Sequence, residues 1–121
     1  MCGVTGSWSS LDYDHEVIAT NMANQIASRG PDSIGVWTAQ NEGLVLAHRR
    51  LSVIDLSSSG HQPMVSSCGR YVISYNGEIY NHTDIRELLS VQADFSNWKG
   101  HSDTETLLEA ICHWGLENTL K

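Results

Sequence analysis

Cys2 stands directly behind the initiator methionine. Cysteine is small enough for Met1 to be removed, which would leave a thiol and a free α-amine on one residue. That amine titrates near ~8, so it can act as a base at neutral pH while the thiol acts as nucleophile. Asn76-Gly77-Glu78 has two readings. Asn-Gly favours a type I′ hairpin turn, because both central residues need positive φ. The same pair can also supply a side-chain amide and an exposed N–H to a developing oxyanion. Arg49-Arg50 closes an apolar stretch, either as solvated charge on a strand edge or as a fork for a substrate carboxylate. Asp103 follows Ser102, where it could be a first-turn helix acid or a partner for an ammonium group. Taken singly, each of these positions is also what an ordinary turn, strand end or cap would contain.

The remaining reactive side chains point elsewhere. Cys2, Cys68 and Cys112 are odd in number and far apart, which fits neither a disulfide framework nor zinc spacing. Cys68 and Cys112 are expected as inert thiols, one in a turn and one in a helix core. Six scattered histidines form no metal motif and read as structural or exposed, and the four tryptophans as core or interface residues. A formal charge of −7 without a basic cluster disfavours nucleic acid and anionic membrane as partners. No apolar run is long enough to span a bilayer. The start of the chain lacks a basic n-region and an h-region, so the expected compartment is the cytosol.

The elements that must position these residues follow from pattern. Residues 3 to 8 read as a strand. A helix begins after Asp12 or Asp14, carries Ile18, Met22 and Ile26, and stops at Gly30-Pro31. Strands follow at 33 to 40 and 44 to 50 around the turn Asn41-Glu42-Gly43. Residues 55 to 63 read as loop. Residues 71 to 76 read as a strand entering a hairpin to 78–81, with Asn76-Gly77 at its turn. Asn81 is placed to cap a helix running through Leu89, with Asp84 in the first turn. Ser102 and Glu105 form a capping-box pair, and Leu107, Leu108, Ile111 and Trp114 an apolar face ended by Gly115. Hairpin-joined strands interrupted by helices give an α+β class with antiparallel sheet. The 121 residues suffice for one domain.

Read together, MCGVTG at the start, RGPDSIGVW (29–37), LAHRRLSVIDLSSSGHQPM (46–64), YNGEIYNHTDIRELL (75–89) and GHSDTETLLEAICHWG (100–115) resemble the class II, N-terminal-nucleophile glutamine amidotransferases of the asparagine synthetase type. The resemblance implies a four-layer αββα fold with antiparallel sheets, expected to be incomplete in this chain. It implies that Cys2 is the nucleophile, and that Asn76 and Gly77 form the oxyanion hole. It places the glutamine α-carboxylate on Arg50, with Leu51, Ser52, Val53 and Ile54 lining that pocket, and the α-amino group near Glu78 and Asp103. Implied partners are L-glutamine, a C-terminal synthetase domain and, optionally, a second copy of the chain. No cofactor is expected in this segment, since ATP and magnesium would belong to the synthetase domain, expected to be absent from these residues. Residues 1–121 are therefore expected to be a partial glutaminase domain. Two other readings stay open: an amidotransferase for another acceptor, such as a sugar acid or peptide carboxylate, and a non-catalytic truncated remnant.

Overall fold

A computed structural model describes residues 1–52 and 57–121, so the expected pocket residues Val53 and Ile54, and the start of the 55–63 loop, lie outside the described residues. The fold is α+β with antiparallel sheets packed against helices, organised as two units. One is built on residues up to position 52 together with 61–63 and 74–76, the other on 57–60, 64–73 and 77–121.

In the first unit, β1 (Gly3–Trp8), β2 (Ser33–Ala39) and β3 (Leu44–Arg50) form an antiparallel sheet in the order β1-β3-β2. Helix α1 (His15–Gln25) is capped by Asp14, whose side chain accepts from the Val17 N–H. It ends five residues short of Gly30-Pro31, and a 3-10 turn over Ala27–Arg29 fills the interval. Side chains alternate across a strand, so Val45 and Ala47 of β3 point to one face. They meet Ala19 and Ala23 of α1, with Ile34 and Val36 of β2 packed alongside. The alanines leave room for the helix backbone to lie close to the sheet, and burying Val45 fully contributes about 2 kcal/mol. Gly43 closes the β2–β3 connection at φ 63°, a left-handed conformation that a side chain resists. The opposite face of the sheet carries His48 and Arg50, and it leaves Val4 and Trp8 of β1 exposed.

The second unit corrects several expectations. The strand beginning at Tyr71 is only β5 (Val72–Ile73), and its antiparallel partner is β4 (Met64–Val65). No hairpin joins 71–76 to 78–81. Neither Asn76 nor Gly77 has positive φ, so the type I′ turn is not formed. Helix α2 runs over His82–Gln92, three residues beyond Leu89, and Asn81 occupies its cap position without a side-chain cap bond.

Helix α3 (Asp103–Trp114) is followed by the short α4 (Leu116–Thr119). Ser102 caps α3 by accepting from the Thr104 N–H. Glu105 does not complete a capping box onto Ser102; it reaches further back and accepts from the Lys99 and Gly100 N–H groups. Nor is the buried face of α3 mainly apolar. Leu108 and Ile111 are buried as expected, but so are Asp103, Thr104, Glu105, Thr106 and Glu109. Each buried acid is satisfied. Asp103 accepts from the Ile79 N–H at 2.8 Å, Glu105 from the 99–100 loop, and Glu109 from the N–H and hydroxyl of Ser67. Cys68 and Cys112 are joined as a disulfide with Cα atoms 6.7 Å apart. This overturns the expectation of two inert thiols: Glu109 brings the 66–69 turn onto α3 beside Cys112, a proximity invisible across 44 residues of sequence.

Arg86 of α2 completes the unit. Its guanidinium donates to Thr106 Oγ1 at 2.7 Å, the Gly100 carbonyl at 2.9 Å and the Ser102 carbonyl at 3.0 Å. It also pairs with Glu105 at 3.3 Å and lies over the Trp98 ring at 4.1 Å. Removing one partner of a buried pair leaves the other charge uncompensated. Glu105→Ala is therefore expected to lower the unfolding free energy by about 3 kcal/mol in denaturant melts, a loss that an exposed pair such as Lys121–Glu117 would not give.

Candidate active site

Cys2 lies one residue outside the β1–β3 ladder, whose last pair is Gly3 with Arg49. The register continues to Arg50, so Cys2 is brought to the same end of the sheet as Arg50, on the face away from α1. The Cys2 thiol rests against the Leu51 backbone: Sγ accepts from the Leu51 N–H at 3.3 Å and lies 3.6 Å from the Leu51 carbonyl. Arg29 donates to the Cys2 carbonyl at 3.4 Å. Two of the expected residues, Cys2 and Arg50, therefore converge, and Leu51 touches the thiol by its backbone.

Arg49 and Arg50 are not edge charges. β3 is the central strand, and both side chains are half-buried. Behind Arg50 the chain is turned by Asp32, whose N–H donates to the Arg50 carbonyl at 3.0 Å and whose carboxylate accepts from the Ser52 N–H at 2.7 Å. Ser52 thus belongs to this corner through its backbone. Asp32 was not singled out from the sequence; the signal for it is Pro31-Asp32, a turn pair whose aspartate commonly accepts from backbone two residues away or across a loop.

Asn76 is exposed and, among the described residues, sits outside any ladder. The residues before it are fixed in the first unit by two buried side chains. Gln62 Oε1 accepts from the Tyr75 N–H at 2.6 Å, and His48 Nδ1 lies 3.0 Å from Ser74 Oγ, a bond whose direction follows the imidazole tautomer. His48 is 1% exposed. Its pKa is lowered to about 4 by burial first, then by the neighbouring His61 and Arg50 charges, so it is neutral wherever the chain is near pH 7.

Gly77, Glu78 and Asp103 belong to the second unit. Gly77 and Glu78 are exposed. Asp103 is 5% exposed, with one carboxylate oxygen on the Ile79 N–H and the other on the Thr104 N–H. A carboxylate offers about four acceptor directions, so these two bonds leave it capacity for a further donor. Among the described residues no group of three or more His, Cys, Asp or Glu side chains could hold a metal ion, and no helix is long and apolar enough to cross a membrane.

The model of a family described as a glutamine amidotransferase domain matches residues 1–121. The chain is 34% identical over 121 residues to asparagine synthetase [glutamine-hydrolyzing] 3 of Bacillus subtilis (strain 168), covering 94% of this chain and 18% of that protein. It is 36% identical to asparagine synthetase [glutamine-hydrolyzing] 1 of the same organism, covering 100% of this chain and 19% of that protein. A third relative, amidase chry2 of Gibberella zeae, is 33% identical over 96% of this chain and 18% of its own length. The chain thus spans less than a fifth of each of these curated relatives.

The buried neutral His48 makes stability depend on pH. In the unfolded chain it takes up a proton near its ordinary 6.5, whereas in the fold it resists protonation down to about 4. The unfolded state binds more protons in that window, so stability falls as pH drops through it. Denaturant melts between these limits are expected to show a loss of up to about 3 kcal/mol assignable to this residue. His48→Gln, compared with the parent at each pH, should remove that part of the slope; an identical slope in the variant would contradict the assignment.

Proposed function

The chain belongs to the glutamine amidotransferase domain family, and from that premise we propose that it is the glutaminase part of an asparagine synthetase-type enzyme. In this reading it hydrolyses glutamine to glutamate and ammonia, and a C-terminal synthetase domain outside these 121 residues uses the ammonia to amidate aspartate with ATP and magnesium. The proposed setting is the cytosol. The observation that carries the reading is the corner of the first unit where the Cys2 thiol lies on the Leu51 backbone, immediately after Arg50.

The chemistry follows from those groups. Met1 is 77% exposed, hence open to removal, and its loss frees the Cys2 α-amine. That amine takes the thiol proton, and the thiolate attacks the carboxamide carbon of glutamine. The tetrahedral oxyanion is assigned to the Asn76 side-chain amide and the Gly77 N–H, each donor being worth about 3 kcal/mol in comparable sites. Collapse expels ammonia, protonated by the α-ammonium, and leaves a γ-glutamyl thioester on Cys2. Water, activated by the same amine, then releases glutamate and restores the thiol.

Arg50 is proposed to fork onto the glutamine α-carboxylate, beside the pocket segment 51–54. Glu78 and Asp103 are proposed to receive its α-ammonium, Asp103 through its remaining acceptor capacity. A clamp on both head-group charges leaves the side-chain length to select glutamine over asparagine. A relative that is named an amidase and not an asparagine synthetase, chry2, keeps a second reading in view, in which the same ammonia-producing part serves an acceptor other than aspartate.

Intact mass of the purified chain is expected to show Met1 absent, and Cys2→Ala to abolish glutamate release from glutamine. Retention of Met1 in an active chain would exclude the α-amine as base. Arg50→Ala is expected to raise KM for glutamine about 10- to 100-fold, the loss of one charge-assisted hydrogen-bonded contact; an unchanged KM would move the carboxylate clamp elsewhere.

A further inference from the structure

Ser74–Asn76 is a short piece of irregular backbone assigned to the first unit although β4, β5 and everything after Gly77 belong to the second. Among the described residues it pairs with no strand, and side chains from elsewhere in the unit bond to it. Two of these are buried and polar: Gln62, 8% exposed, and His48, 1% exposed. Gln62 Oε1 receives the Tyr75 N–H at 2.6 Å, and His48 Nδ1 meets Ser74 Oγ at 3.0 Å. The two anchors act on consecutive residues immediately before Asn76.

The anchors are themselves fixed by the sheet. His48 lies on central β3, directly opposite Gly35 of β2. Cross-strand partners project to the same face, so Gly35 and His48 are neighbours on the face away from α1. A Cβ on Gly35 would overlap the Gln62 carbonyl oxygen and crowd the His61 ring. The absent side chain is therefore what lets the 61–62 backbone lie on the sheet beside His48. From Gly35 to Gln62 to Tyr75, and from His48 to Ser74, contacts run without a gap from the rigid centre of the sheet to Asn76.

We infer that Gln62 and His48, seated by Gly35, are positioning residues that hold the Ser74–Asn76 segment so that the Asn76 amide is presented at a fixed place. This inference rests on the assignment of Asn76 as an oxyanion donor, and it adds specific residues that set the aim of that donor. Neither positioning residue touches the substrate. Their effect belongs to the transition state, because a donor aimed at the oxyanion strengthens only as charge develops there.

The test compares Gln62→Met, which keeps length but removes the acceptor, with Gln62→Glu, which restores an acceptor for the Tyr75 N–H, using glutamine as substrate and the chain freed of Met1. Gln62→Met is expected to lower kcat about 10-fold or more with KM little changed, since misplacing a catalytic group by about 1 Å can cost about 100-fold. Gln62→Glu should recover most of that loss. Asn76→Ala alone should lower kcat about 100- to 1,000-fold, and Gln62→Met should add nothing further in the Asn76→Ala background, because the two act through one group. If Asn76→Ala leaves kcat unchanged, the oxyanion assignment falls, and this inference with it. If Asn76→Ala is damaging but Gln62→Met is silent, or is equally damaging on top of Asn76→Ala, the oxyanion assignment survives and the positioning role is overturned.

Two further measurements cover failure of the first. Where Gln62→Met does not fold, Ser74→Ala removes the His48 contact with less disturbance, and an unchanged kcat in that variant overturns the inference. Where turnover is too slow to measure, amide hydrogen exchange decides. The Tyr75 N–H should lose protection in Gln62→Met relative to Gln62→Glu while α1 and β3 amides keep theirs; retained protection of Tyr75 overturns it.

Discussion

Backbone N–H groups held away from water must find acceptors, and among the described residues several in the loops that carry the proposed chemistry find them on side chains. Tyr75 donates to Gln62, Ile79 to Asp103, Ser52 to Asp32, and Lys99 and Gly100 to Glu105. Apart from Cys2, the residues assigned a role in glutamine hydrolysis lie within a few positions of one of these bonds. Each of these bonds fixes backbone within its own unit. Asn76, Gly77 and Glu78 are all exposed, while the residues on either side of them are tied to buried acceptors.

The two units solve the problem with different scaffolds. In the first, the sheet is the reference: β3 is central, its register sets Cys2 beside Arg50, and Gly35 leaves space for Gln62. In the second, α3 is the reference, and three carboxylates on it receive the 66–69 turn, the loop around Ile79 and the 99–100 loop. Arg86 then neutralises Glu105 and gathers two carbonyls at the head of the helix. Desolvated acids are costly unless bonded, so a helix with this many of them holds its loops tightly and tolerates substitution poorly.

The extent to which the sequence reveals this follows the range of the interactions. The three strands of the first unit and the start of the helix capped by Asp14 are written in local periodicity and turn chemistry, and they form where expected to within a residue, while the helix ends early. The Asn76-Gly77 hairpin does not form, because the pattern of a turn is local while the side chains bonded to 74–76, Gln62 and His48, are distant. The same holds for α3: an apolar face at helical spacing was legible, whereas the buried acids on it gain meaning only from loops that no spacing rule links to them. Cys68 and Cys112 look unpaired until Glu109 brings the turn to the helix. The roles proposed for Cys2, Arg50, Asn76, Gly77, Glu78 and Asp103 rest on five motifs occurring together in the sequence; each residue alone reads as a turn, a strand end or a cap.

The central claim is that the thiol at position 2 is the nucleophile for glutamine. Peptide mapping after treatment with a glutamine-like alkylating analogue tests it most directly. The account predicts one modification, on the peptide that begins at Cys2 in chains lacking Met1, suppressed by excess glutamine. Modification of chains that retain Met1, or no modification of Cys2 in folded protein without Met1, would contradict it.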